Sequence, residues 1–188
     1  MKKIHSASLI IIFLALSLSG CLNVEKKEYN VKLNDDNSGT MTIKYINIVS
    51  TEEEEKDVSM KDFATLITDY YEGDKALENF EGATNVEKRL FEENGVLCGE
   101  VKFEFDTLGT SNIFQYDSKS PYMAALSEKF NGEAYEDSNG EYGLGGMTII
   151  FWDNGIRELN WSTSVMTDMT GAHSLLDEYK NWKKEDQD

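Results

Sequence analysis

The placement of turn residues constrains this chain more than any other feature. Asn94-Gly95 and Asn154-Gly155 each separate two runs in which apolar and polar residues alternate, and the loop Asn34 to Gly39 does the same with six residues. Both central positions of a type I′ turn need positive φ, which Asn and Gly tolerate. Asn-Gly between alternating runs therefore specifies a β-hairpin. Three hairpins are predicted: Tyr29–Leu33 with Thr40–Val49, Thr84–Glu93 with Val96–Phe105, and Met147–Trp152 with Ile156–Ser164. Together they imply a mostly antiparallel sheet of about six strands.

Between the hairpins the apolar period changes. Phe63, Leu66, Ile67, Tyr70, Leu77 and Phe80 recur at helical spacing, and Ser59-Met-Lys-Asp62 has the form of a capping box with Asp in the last position. Gly73 interrupts this helix or divides it in two. Ser120-Pro121 reads as an N-cap and first-turn pair for a second helix over Pro121–Phe130, closed by Asn131-Gly132. Leu175, Leu176, Tyr179 and Trp182 mark a third, with Lys183 to Asp188 as a polar, frayed end. The expected class is α+β, with helices packed on one face of the sheet.

The amino terminus gives an address. Lys2 and Lys3 precede an apolar run from Ala7 to Leu18, which ends in Leu18-Ser-Gly-Cys21. The run is shorter than the roughly 20 residues needed to span a bilayer. This segment resembles the signal sequence of bacterial lipoproteins, lipobox included. The resemblance covers residues 1–21 only, and it implies cleavage before Cys21, fatty acylation of that cysteine and a lipid-anchored life in the cell envelope. That means the outer membrane in a Gram-negative source and the outer face of the cell membrane in a Gram-positive one. Residues 1–20 are then a cleaved signal peptide, 21–28 a short tether and 29–188 a single globular domain.

Composition narrows the partners. The formal charge is −17, and removal of residues 1–20 takes away two lysines and no acid, giving −19. Such a surface repels phosphate backbones and anionic head groups, which argues against nucleic acid and leaves anchoring to the lipid. Aromatic residues make up 11% of the chain and hydrophobic residues 40%, more than disordered segments carry, so the domain is expected to fold. With Cys21 acylated, Cys98 has no partner, and its apolar, strand-like setting reads as a small buried hydrophobe.

Motifs for chemistry are sparse. Asn34, Asp36 and Ser38 match the opening of a calcium loop, but its twelfth position is Tyr45 where a bidentate Glu is required. Glu136–Gly140 and Asp153–Gly155 are explained by turn geometry, and Glu52–Glu55 by a solvated loop. His173 is the sole histidine after the signal segment, so no metal site, cofactor or catalytic residue is assigned. No nucleophile elbow or phosphate-binding glycine loop occurs. The remaining unusual stretch is Gly109–Gly146, where tyrosines stand among Gly, Ser and Asn as in adaptable binding surfaces. Tyr116, Tyr135 and Tyr142 are its candidate binding residues, and Tyr122 is assigned to helix packing. The expected function is a non-enzymatic binding or accessory module for an envelope protein or small molecule. The rivals are a carboxylate-dependent hydrolase of envelope glycans, which needs only two acids at a suitable separation, and a structural lipoprotein without a ligand.

Overall fold

The computed structural model describes residues 22–52, 56–126, 133–143 and 148–185. The signal segment and Cys21 lie outside the described residues, as do Glu53–Glu55, Phe130 with Asn131-Gly132, residues 144–147 and Asp186–Asp188. The fold is mostly antiparallel sheet with two α-helices, and its eleven described strands form two sheets, nearly twice the expected number of strands. The larger sheet runs β3 (Thr84–Glu93), β4 (Val96–Phe105), β2 (Gly39–Thr51), β1 (Leu22–Leu33), β10 (Glu158–Ser164) and β7 (Ala134–Ser138), with β11 (Ala172–Ser174) paired to the far end of β2. The smaller sheet runs β5 (Phe114–Gln115), β6 (Tyr122–Ala125), β9 (Ile149–Trp152) and β8 (Glu141–Tyr142).

Two hairpins form where the turn chemistry places them. Asn94 and Gly95 take φ of 52° and 80°, the pair of positive values a type I′ turn demands, and β3 pairs with β4 across them. In the β1–β2 loop the Asp36 carboxylate accepts the Ser38 backbone N–H at 3.1 Å and its hydroxyl at 2.7 Å, which holds the carboxyl below its usual range. Residues 22–28, expected as a tether, pair with β2 from Leu22↔Ser50 onward and form the first half of β1.

The third hairpin is a correction. Strands β9 and β10 exist but do not pair: β9 lies between β6 and β8, and β10 between β1 and β7. Neither Asn154 nor Gly155 takes positive φ, and the Ile156 N–H bonds the Asp153 carbonyl at 3.0 Å. An ordinary β-turn here lets the chain cross from one sheet to the other instead of folding back.

The Pro121–Phe130 helix is also corrected over residues 122–125; Leu126 is helical, and residues 127–130 lie outside the described residues. Residues 122–125 are strand β6, with Tyr122 and Ala124 buried and Met123 and Ala125 partly open, the two-residue period of a sheet. They pair with Trp152 and Ile150 of β9. Ser120 does not cap a helix; its N–H and hydroxyl donate to Asp117 in the preceding turn.

The first predicted helix divides in three. Helix α1 (Ser59–Thr65) continues as a π-helical stretch over Leu66–Glu72, ended by Gly73, and a single 3₁₀ turn follows over Lys75–Leu77. The Ser59/Asp62 capping box does not form. Asp57 accepts the Ser59 N–H and hydroxyl, while Asp62, buried, accepts the Ser50 hydroxyl at 2.6 Å. Helix α2 (Leu176–Glu185) follows the expected C-terminal pattern, and Tyr179 on it donates to the Leu90 carbonyl at 2.8 Å.

Two apolar clusters result. The larger joins the sheets, packing Val31, Met41, Ile43 and Phe103 with Ala124, Ile150 and Trp152. The smaller gathers Ile48 and Leu97 with Phe63, Leu66, Leu175 and Tyr179. Tyr45 packs against both.

Candidate functional site

Beside Tyr45 the packing is incomplete, leaving an apolar cavity of about 210 Å³. Leu22 and Val24 of β1, Tyr45 and Ile48 of β2, and Leu90 of β3 supply part of its wall, and Leu66, Tyr70 and Tyr71 from the π-helical stretch supply another. Two backbone features open it. Gly99 on β4 has no side chain where a Cβ would lie 3.2 Å from Ile48 and 3.4 Å from Leu90, so any larger residue would crowd these walls. The π-helical turn, closed by the Gly73 N–H on the Thr68 carbonyl at 3.0 Å, is wider than an α-turn and brings consecutive tyrosines to the lining.

The charges around this cavity reverse the character of the chain. Lys27, Lys88 and Arg89 line it against the single carboxylate of Glu100. Arg89 is paired with Glu100 by two parallel bonds of 2.8 Å, which hold the Glu100 carboxyl below its ordinary value. Lys27 donates to Glu133 at 2.6 Å. Lys88 instead donates to the Gly73 carbonyl, and no carboxylate among the described residues stands within ion-pair distance of it. A neutral carbonyl satisfies one ammonium proton but does not neutralise the charge.

Glu133 itself is a buried hub. Its carboxylate, 6% exposed, accepts from Lys27, from the Tyr29 hydroxyl at 2.8 Å and from the Thr163 hydroxyl. Burial, with the Glu133 charge beside it, pushes the Tyr29 phenol upward, and burial does the same to Tyr45, so both phenols are neutral. Tyr29 stacks on Trp161 with ring centroids 4.6 Å apart, which fixes the hydroxyl against the carboxylate.

A second concavity, of about 470 Å³, is lined mainly by polar residues. Glu28, Asn30, Lys44, Glu100, Asp137 and Asn160 are among its lining residues. Glu100 is committed to Arg89, and Lys44 to Glu93.

The three candidate tyrosines are divided by the fold. Tyr135 on β7 and Tyr142 on β8 stack at 3.7 Å between centroids with planes 4° apart, joining one strand of each sheet. Tyr135 also packs against the larger core. Tyr116 is 79% exposed and follows Phe114, 59% exposed; among the described residues it has no ring contact with the stacked pair. Tyr122 is buried, donating its hydroxyl to Asn37 at 2.8 Å and accepting from Arg157 at 3.1 Å, but in a strand and not in a helix.

Cys98 is a free, buried thiol whose pKa is raised by burial. His173 lies on β11 with Nε2 3.1 Å from Glu52. Among the described residues no three His, Cys, Asp or Glu side chains converge as metal ligands. No helix among them is long and apolar enough to cross a membrane.

Sequence reasoning placed Leu66 and Tyr70 on a helix face but did not find the cavity beside them, and it passed over Lys88 and Arg89. The adjacent Tyr70-Tyr71 was the available signal, because an α-helical stripe does not present consecutive residues to one surface. Comparison of the chain with protein-family models, curated proteins and solved structures found no match.

Proposed function

We propose that this protein is an envelope lipoprotein, anchored through acylated Cys21, whose domain is a non-enzymatic binding module for an apolar ligand. The observation that carries this reading is the 210 Å³ cavity with its apolar walls and cationic rim in a chain of charge −17. Concave apolar sites with a few convergent polar groups are the usual form of small-molecule binding sites. Helices α1 and α2 are taken to cover one face of the large sheet, at the end that holds the cavity. Exposed Phe114 and Tyr116 are a candidate contact for a partner protein, distant from the nucleic-acid chemistry that the charge disfavours.

Two experiments test the reading. Cys21→Ala should abolish incorporation of labelled fatty acid and leave an unprocessed precursor; normal labelling and maturation of that variant would refute the anchor. With the full chain in lipid nanodiscs, a neutral phenyl-diazirine photolabel should modify peptides of the cavity wall saturably, and Leu90→Trp, which fills the space, should suppress this. Labelling that is unsaturable, or indifferent to the substitution in a variant that still melts cooperatively, would refute the cavity as a binding site.

The polar concavity favours a second reading, hydrolysis of envelope glycans by a carboxylate pair, because Glu28 and Asp137 both line it. Glu100, held ionised by Arg89, is unsuited to be the acid of such a pair. Glycan turnover that is lost in Glu28→Gln and Asp137→Asn would establish that reading. A protein with neither binding nor turnover would be a structural lipoprotein.

A further inference from the structure

We infer that the cavity holds one unbranched alkyl chain of about eight carbons whose terminal carboxylate is bound by Lys88. This rests on the reading of the cavity as a ligand site and adds the ligand's class. The size follows from volume. An apolar cavity of about 150 Å³ accommodates benzene, roughly 25 Å³ per carbon, so 210 Å³ accommodates about eight. Two chains of a diacyl lipid exceed that volume.

The head group follows from charge. Of the three cations in the lining, Arg89 and Lys27 have their own carboxylates, at 2.8 Å and 2.6 Å. Lys88 has only the Gly73 carbonyl, on the residue that ends the π-helical wall. An anion placed there gains a charge-assisted bond without breaking an existing ion pair. A neutral ligand leaves that half-buried ammonium without a counter-charge, and a cationic one is repelled.

A chain-length series tests this with the full protein in nanodiscs. The probe is octanoate with a diazirine on its terminal carbon, mapped by mass spectrometry and competed by unlabelled straight-chain carboxylates at known free concentration. Modification should fall on the residues around Leu66, Tyr70 and Leu90. Competing affinity should rise about fourfold per methylene from butanoate to octanoate and flatten beyond it. Lys88→Gln should weaken octanoate about fivefold or more while leaving the neutral phenyl-diazirine unchanged. Retained neutral labelling without octanoate labelling overturns the inference and spares the cavity reading; loss of both overturns both. A fourfold gain per methylene that continues to dodecanoate overturns the single short chain. Equal octanoate affinity in wild type and Lys88→Gln overturns the role of Lys88.

Discussion

Replacing Glu133 by glutamine should destabilise the domain by about 3 kcal/mol, taking the lower end of the roughly 3–5 kcal/mol for breaking a buried ion pair. The carboxylate is 6% exposed and serves three donors: Lys27, whose side chain is 24% exposed, Tyr29 at 4% and Thr163 at 0%. Glutamine keeps one carbonyl oxygen, turns an amide N–H₂ toward groups that are themselves donors, and removes the charge. The lower end applies because Lys27 retains some access to water, whereas the two hydroxyls have almost none. In a domain of this size each kcal/mol moves the midpoint by about 2–4 °C, so the melt should fall by about 6–12 °C. Differential scanning calorimetry of wild type, Glu133→Gln, Lys27→Met and the double variant measures both the loss and the coupling. Part of the loss should return in the double variant, since it no longer buries a lone ammonium, but not all of it, because Tyr29 and Thr163 stay short of an acceptor. A loss below about 1 kcal/mol, or strictly additive single variants, would refute the assignment of Glu133 as a hub.

The stacked tyrosines and Tyr116 should separate by assay. Tyr135→Ser and Tyr142→Ser should each lower the melting midpoint, with a coupling of about 0.5–1.5 kcal/mol in a double-mutant cycle. Tyr116→Ser should stay within about 0.5 kcal/mol of wild type and reduce partner capture from envelope extract instead; a large stability loss at Tyr116 would reject its role as a surface contact. Because Arg89 holds the Glu100 carboxyl below 4.5, that pair stabilises the fold above the unfolded value and ceases to do so as pH falls through the lower folded value. Arg89→Gln should therefore lose less stability than wild type when melts at pH 5 and pH 3 are compared, and an unchanged difference would show the pair to be solvated.

Local chemistry made part of this fold legible. Asn94-Gly95 specified its own turn, since positive φ at both positions folds the chain back so that β3 and β4 pair directly across it. The identical dipeptide at Asn154-Gly155 did not, because β10 finds its partners in β7 and in the sequence-distant β1, and the turn adapts to that pairing. Around Pro121 the apolar residues Met123 and Leu126 fit a helical spacing while Tyr122 and Ala124 fit a strand. Burial of the latter pair against Trp152 and Ile150 decides between them, and no local signal records that burial. The cavity was illegible for a different reason. It consists of a side chain missing at Gly99 and an extra residue in a helical turn, and neither leaves a periodic pattern. Lys88 likewise looks like any solvated lysine on an edge strand until the carboxylates around it are seen to be taken by others.

The central position of β1 has a consequence for the order in which this protein is assembled. Its neighbours are β2, which follows within a few residues, and β10, which arrives much later; Asn30 and Glu158, bonded across that pair, are 128 residues apart in the chain. Closing a loop of that length costs conformational entropy before any contact rewards it, which slows folding. A nascent chain can thus build the β1–β2 and β3–β4 hairpins early, yet β1 has an open hydrogen-bonding edge until residue 164 is free. Such an edge templates pairing with other chains. The polar side chains spaced along it, Lys26, Glu28, Asn30 and Lys32, give the unfinished sheet a charged margin during that interval.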